Sequence, residues 1–183
     1  MKSLLLITIG ISGSGKNHLK NQLESYFKDD FLNIEPDNIR REKLGDVSDQ
    51  SHGKWIFDLA GEQIFDACGN YKIIYFNATN TSWSRIQSFL KKNLLECDVI
   101  YVIMMDSMNL TLCQKRVMAD IENGADRAKV PAEIVERQYV NFMNCKRDAE
   151  NSDDEIFLYD NNFGKLVTYI EEYLDGQTIA KSI

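Results

Sequence analysis

Apolar residues cluster along this chain in two periods. Leu4 to Ile9 is an unbroken apolar run, and Asp98 to Met105 (DVIYVIMM) is nearly one. Short runs of that kind mark strands covered on both faces, because a strand with one wet face alternates apolar and polar residues instead. Three further β-rich segments, Phe31 to Glu35, Lys72 to Phe76 and Glu155 to Tyr159, bring the expected strands to five. Between them the spacing changes to the helical three-and-four pattern. It predicts helices over Asn17 to Phe27, His52 to Cys68 (Trp55, Ile56, Leu59, Ile64, Phe65), Trp83 to Leu95 (Ile86, Phe89, Leu90), Leu110 to Ile121, Pro131 to about Ala149, and Gly164 to Leu174. Pro36 breaks the second strand and leaves Asp37 to Leu44 as a helical turn, whereas Pro131 suits the first position of a long helix.

Strand and helix alternate over the whole length. That predicts a three-layer α/β fold, with a mostly parallel five-stranded sheet flanked by helices. The 183 residues make one domain, with no repeat or low-complexity tract to divide it. Glu122 to Val130, polar and glycine-containing, interrupts two helices and forms a helical lid at about 121–131. In parallel sheets ligands bind beyond the carboxyl ends of the strands. Polar clusters follow three strands here: Gly10 to Lys16, Asp37, and Asn77 to Thr81.

The first cluster carries the most chemistry. Gly10-Ile11-Ser12-Gly13-Ser14-Gly15-Lys16 sits between a buried strand and a helix, the order a phosphate-binding P-loop requires. Glycines let the backbone curl so that successive N–H groups face a polyphosphate. The helix start adds partial positive charge, and Lys16 adds a full one. Gly10, Ser12, Gly13, Ser14, Gly15, Lys16, Asn17 and His18 are the expected nucleotide-binding residues, with ATP or another nucleoside triphosphate as ligand. The motif asks for a hydroxyl after the lysine to ligate Mg²⁺, and Asn17 stands there instead. Its amide oxygen is still a hard donor, so Mg²⁺ is expected at Asn17, directly or through water.

Charge and cysteine content narrow the class. The net charge is −7, which disfavours broad non-specific nucleic-acid binding but leaves room for a small basic pocket. Cys68, Cys97, Cys113 and Cys145 follow no metal-ligand or CxxC spacing and read as reduced, mostly buried thiols of a cytoplasmic protein. Leu4 to Ile11 is too short for a membrane span and feeds the glycine loop rather than a cleavage site, and no later run is long enough. His18 and His52 have no partner spacing for a metal or a triad. Arg41 and Lys43 read as solvated charges; Lys115 and Arg116 read as helix-surface residues, with a place near the base of the lid as the alternative.

Four segments together resemble the kinase domain of bacteriophage-type polynucleotide 5′-kinases, within the small P-loop kinases. They are the glycine loop; Asn33-Ile34-Glu35-Pro36-Asp37-Asn38-Ile39-Arg40; Asn77-Ala78-Thr79-Asn80; and Arg127-Ala128-Lys129-Val130-Pro131. The resemblance is collinear from about Leu4 to Met143. It implies that Asp37 is the general base on an acceptor hydroxyl, that Arg40 contacts acceptor phosphate, that Thr79 and Asn80 lie at the acceptor, and that Arg127 reaches the donor phosphates from the lid. Physics allows these roles: phosphoryl transfer needs positive charge around the γ-phosphate, which Lys16 and Arg127 can supply, and a base aligned with the attacking oxygen. Asp37 can equally serve as N-cap of the helix after Pro36. Where the family has an acidic residue this chain has Asn77, so both expected magnesium-shell positions carry amides. Asp160 to Phe163 resembles the turn beside the nucleotide base in other small kinases.

The implied activity is ATP-dependent transfer of the γ-phosphate to a 5′-hydroxyl of a nucleic acid or nucleotide. Two alternatives stay open: the same chemistry on a small-molecule hydroxyl, or a degenerate nucleotide-binding module, for which Asn17 and Asn77 are the evidence. Lys16→Ala, which removes the loop's fixed cation, is expected to abolish transfer and to weaken calorimetric ATP binding at least tenfold, the equivalent of about 1.4 kcal/mol.

Overall fold

The computed structural model describes residues 3–93, 97–124 and 130–176. Its five strands are β1 (Leu4–Ile9), β2 (Phe31–Ile34), β3 (Ile73–Phe76), β4 (Asp98–Met104) and β5 (Ile156–Tyr159). They pair in the order β2-β3-β1-β4-β5, every pairing parallel. The sheet is thus wholly parallel, and its register sets Leu4 between Ile73 and Asp98.

Seven helices are present among the described residues: α1 (Lys16–Phe27), α2 (Pro36–Leu44), α3 (Gly53–Ala67), α4 (Trp83–Asn93), α5 (Leu110–Glu122), α6 (Ala132–Glu150) and α7 (Phe163–Leu174). Alternation along β1 divides them into two layers. Leu4 and Leu6 pack with Leu19 and Leu23 of α1 and Leu166 and Ile170 of α7. Leu5, Ile7 and Ile9 pack with α3, α4, α5 and α6 through Ile56, Ile64, Ile86, Val117, Val135 and Phe142. All six β1 residues are buried, each large aliphatic side chain contributing about 1.5–3 kcal/mol of burial. This is the expected three-layer α/β architecture.

The structure refines the elements at their edges. Asp37 to Leu44 is part of a full helix begun by Pro36, whose fixed φ suits a first turn. That helix closes at Gly45 (φ 73°), whose N–H donates to Arg41 O. β4 stops one residue before Met105, where a 3₁₀ turn, Met105–Met108, was not foreseen. Pro131 caps α6 rather than starting it. Of the lid, residues 121–124 and 130–131 are described, and Arg127 lies outside the described residues. No helix among the described residues is long and apolar enough to cross a membrane.

The cysteine reading needs correction. Cys68 and Cys97 form a disulfide, with Cα atoms 6.0 Å apart, joining the C-terminal end of α3 to the start of β4. Only Cys113 and Cys145 are free and buried. A separation of 29 residues has no signature in sequence; the two sulfurs meet because the end of α3 returns to the sheet beside the segment that enters β4. The expectation of a cytoplasmic location, which rested on four reduced thiols, loses that support. Replacing Cys68 with serine is expected to lower unfolding free energy by about 3.5 kcal/mol, the chain-entropy value for a loop of 29 residues. Urea melts of the two proteins without reductant check this; under reducing conditions the difference should largely vanish.

Candidate functional site

The glycine loop leaves β1 at a place with no space for side chains. A Cβ at Gly10 would lie 2.7 Å from Ser14 Oγ and 2.9 Å from Met104. Gly13 (φ 83°) and Gly15 (φ 94°) are left-handed, and a Cβ on Gly13 would fall 2.3 Å from the Cys113 carbonyl oxygen. The turn therefore presses its backbone against α5. Gly15 opens α1 without any side-chain cap, and no acidic residue occupies the first turn, so the N–H groups at this helix start are left for a ligand. Lys16 Nζ arches back over the loop to Ile11 O (2.7 Å) and Gly10 O (3.1 Å).

Distant elements hold the loop. Ile11 N–H donates to Ser107 Oγ (3.1 Å), and Ser12 N–H to Gln138 Oε1 of α6 (2.9 Å). Arg116 Nη1 donates to Gly13 O (3.2 Å) and to Asp106 Oδ2 (2.7 Å). Tyr75 Oη donates to Lys16 O (2.9 Å) from β3, and burial pushes that hydroxyl far above its ordinary range, so it remains a donor. Arg116 corrects the sequence reading, which left it with Lys115 on the helix surface. Lys115 is exposed, but Arg116 lies three residues past the buried Cys113 and shares its face toward the loop. Gln138 was missed, although it falls between Val135 and Phe142 on the buried stripe of α6.

Opposite the loop, β2 ends in Glu35-Pro36-Asp37. Asp37 is not the N-cap of α2: Glu35 holds that position, without a side-chain cap, and Asp37 lies inside the first turn. Its Oδ1 accepts from Arg40 Nη1 at 2.5 Å. The Arg40 side chain is only 7% exposed while that of Asp37 is 40% exposed, so the pair presents a carboxylate to solvent backed by a buried cation. Arg40 Nε is buried and has no hydrogen-bond partner among the described residues. Asn77 Nδ2 donates to Asn17 Oδ1 (2.8 Å) and lies 3.4 Å from Glu35 Oε2. Burial, and then the neighbouring Asp37, push the Glu35 carboxyl up, against the lowering effect of a hydrogen bond from Asn33 and of Lys20 and Arg41.

These groups face one cleft of about 870 Å³. Ser12, Gly13, Ser14, Gly15, Lys16, Asn17 and His18 line it on one side, and Asp37, Arg40 and Thr79 are part of the same lining. Two expected residues stand elsewhere. Gly10 lies behind the loop against Met104. Asn80 is buried, its Nδ2 donating to Thr8 O (3.0 Å), so it braces β1 and does not face an acceptor. Arg116 and Arg137 add cations that the sequence reading did not place there. Asn161, from the turn after β5, reaches the cleft and donates to Asp106 Oδ1 (3.0 Å). The wall thus sets Lys16, Arg40, Arg116 and Arg137 beside Glu35, Asp37 and Asp120, a nearly balanced lining in a chain of net charge −7.

The donor set also fits Mg²⁺. The Asn17 amide oxygen and the Glu35 carboxylate supply hard oxygens beside the helix start, with the Asn77 N–H₂ donating to both. No cluster of three or more His, Cys, Asp or Glu able to hold a metal occurs among the described residues, so a cation here needs phosphate oxygens and water to complete its shell, as Mg²⁺ commonly does.

No family model and no curated protein sequence matches this chain. Its backbone is similar to one in the structure of the Pnkp1/Rnl/Hen1 RNA repair complex, with a TM-score of 0.69 and 18% identity over 80% of this chain and 46% of that one. The chain therefore spans about half the length of that neighbour. A second structure, of the Pnkp1/Rnl/Hen1 complex, overlaps less well, with a TM-score of 0.49 and 22% identity over 56% of this chain and 36% of that one. At 18% identity the first likeness speaks for the fold alone, which is the three-layer α/β arrangement with a parallel sheet expected from the sequence.

The loop's contacts yield a graded prediction. Gly45→Ala, at φ 73° with nothing within 4 Å of the added carbon, should cost only the left-handed penalty of about 1–2 kcal/mol. Gly13→Ala adds a backbone clash to the same penalty and should cost about 3 kcal/mol or more. Urea denaturation of both variants checks the order.

Proposed function

We propose that this chain is a kinase that transfers the γ-phosphate of ATP, or another nucleoside triphosphate, to the 5′-hydroxyl of a polynucleotide or nucleotide. The observation that carries the reading is the Asp37–Arg40 pair, held at 2.5 Å in the same cleft as the glycine loop and Lys16. A phosphate loop alone would equally suit a hydrolase or a sensor; a carboxylate backed by a buried arginine gives the cleft a second half suited to an acceptor. The likeness to a chain of an RNA repair complex supports a nucleic-acid acceptor.

In this mechanism the loop N–H groups and Lys16 hold the β- and γ-phosphates. Arg40 orients the Asp37 carboxylate, which accepts the proton of the acceptor hydroxyl. The hydroxyl oxygen forms a bond to Pγ as the bond from Pγ to the β–γ bridging oxygen breaks, and the electron pair leaves with the nucleoside diphosphate. The proton then passes from Asp37 to water. The remaining Arg40 N–H groups suit a phosphate next to the reacting nucleoside. Arg127, which the sequence resemblance implies as a donor-phosphate residue, would add a second positive charge at the γ-phosphate. Mg²⁺, held at Asn17, would supply charge neutralisation on the phosphate oxygens.

One observation favours a second reading. The Asn17 and Asn77 amides bond each other at 2.8 Å, an arrangement that suits a nucleotide-binding module without transfer. A labelled γ-phosphate assay against 5′-hydroxyl oligonucleotides, nucleoside 3′-phosphates and small alcohols separates the readings, and no transfer to any of them would favour the module. Asp37→Asn keeps shape while removing the base, so kcat is expected to fall about 10²–10⁴-fold, with nucleotide affinity little changed. Arg40→Lys keeps charge but loses the planar fork. Its KM should rise mainly for acceptors that bear a 3′-phosphate. An equal effect on phosphate-free acceptors would make Arg40 a structural residue and remove the best support for a nucleotide acceptor.

A further inference from the structure

Both positions at which a P-loop kinase would draw oxygen ligands for its metal are amides in this chain, Asn17 and Asn77, and neither carries charge. The fold moves a carboxylate to the same point from a different strand end. Asn77 Nδ2 donates to Asn17 Oδ1 (2.8 Å) and lies 3.4 Å from Glu35 Oε2, so one N–H₂ group sits between two oxygens. Asn17 Oδ1 and Glu35 Oε2 are therefore close enough to share one donor, and Asn77 itself occupies the space between them. A cation drawing on both oxygens would take the place of that N–H₂ group and complete its shell with phosphate oxygens and water.

The surroundings support a ligand there. Asn33 lies two residues before Glu35 along β2, on the same side of the strand. Its Oδ1 is buried and has no hydrogen-bond partner among the described residues, an unsatisfied acceptor close in sequence to Glu35. Asn17 opens α1 next to Lys16, so the point adjoins the position of the triphosphate. Placing half-buried Glu35 next to Asp37 brings two like charges together, an arrangement a divalent cation would relieve.

We infer that Glu35 is the anionic ligand of a phosphate-bridging divalent cation in this chain, replacing the acidic residue that the Asn77 position lacks, with Asn17 as its neutral co-ligand. The inference rests on the kinase reading of the cleft. It accounts for both amides together: the charge of the metal shell is kept and its source has moved from the end of β3 to the end of β2.

Mn²⁺ and a non-hydrolysable ATP analogue test this on the full chain. Analogue binding is measured by calorimetry in EDTA, and Mn²⁺ binding to the protein–analogue complex by loss of the free-ion paramagnetic resonance signal. Glu35→Gln should weaken Mn²⁺ about tenfold or more and leave metal-free analogue affinity within twofold. Adding Asn77→Asp to that variant should restore Mn²⁺ affinity, which a merely structural role for Glu35 would not do. Mn²⁺ affinity unchanged in Glu35→Gln, or unrestored in the double variant, would overturn the assignment of Glu35 and leave the kinase reading standing. A wild-type protein that binds no analogue under either condition would overturn the kinase reading and the inference with it.

Discussion

The close approach of Gly13 to the backbone carbonyl of Cys113 is the constraint around which the cleft is organised. A Cβ at that position would meet the α5 backbone at 2.3 Å, so the loop can lie against α5 only with glycine there. The close approach brings Gly13 O within reach of Arg116 and positions Ile11 and Ser12 to bond Ser107 and Gln138. With one end of the loop pinned this way and the other tied through Lys16 O to Tyr75, the N–H groups at the start of α1 are left pointing into the cleft. A flexible loop would lose much of its phosphate affinity to the entropy of ordering. Here the fold has already spent that entropy.

Electrostatics in the cleft contrasts with the rest of the chain. The protein carries a net −7, yet the cavity is close to balanced, with Lys16, Arg40, Arg116 and Arg137 facing Glu35, Asp37 and Asp120. Arg40 illustrates the cost: a guanidinium 7% exposed, with one nitrogen unpaired, bonded to a carboxylate 40% exposed. Such a pair adds little net stability, since desolvation offsets much of the attraction. Its persistence is better explained by orientation, because the rigid fork of Arg40 holds Asp37 at one angle. Glu35 is a second case, where burial beside a like charge raises its pKa. Local arrangements that cost stability are those expected where a site is built for a ligand.

Stability for this strained corner comes from elsewhere. β1, buried on both faces between the α1/α7 and α3–α6 layers, provides the rigid base from which the loop leaves. The Cys68–Cys97 link closes the far side, between the end of α3 and the entry to β4. The described part of the lid, by contrast, joins the core through α6, whose Gln138 also holds Ser12. A change in the position of α6 would therefore be felt at the loop without any intermediary.

Periodicity alone determined the five strands, the helices and the parallel three-layer plan, because these follow from local spacing of apolar residues, which every neighbour along the chain repeats. The glycine loop, Lys16, Asp37 and Arg40 were equally legible, since each lies within a few residues of the strand end that positions it. Boundaries shifted by a residue or two, as at Met105 and Pro131, where backbone and side-chain bonds set the end of an element. What tertiary structure alone decided were relations between residues distant in sequence. Arg116 joins Gly13 across 103 positions and Gln138 joins Ser12 across 126; Cys68 finds Cys97; Asn80 turns inward to Thr8. Glu35 reads in sequence as the last residue of a strand, and only the parallel pairing of β2 with β3 brings it beside Asn77 and Asn17. A linear pattern reports which way a side chain faces on its own element, whereas the partner it meets depends on how the layers are stacked.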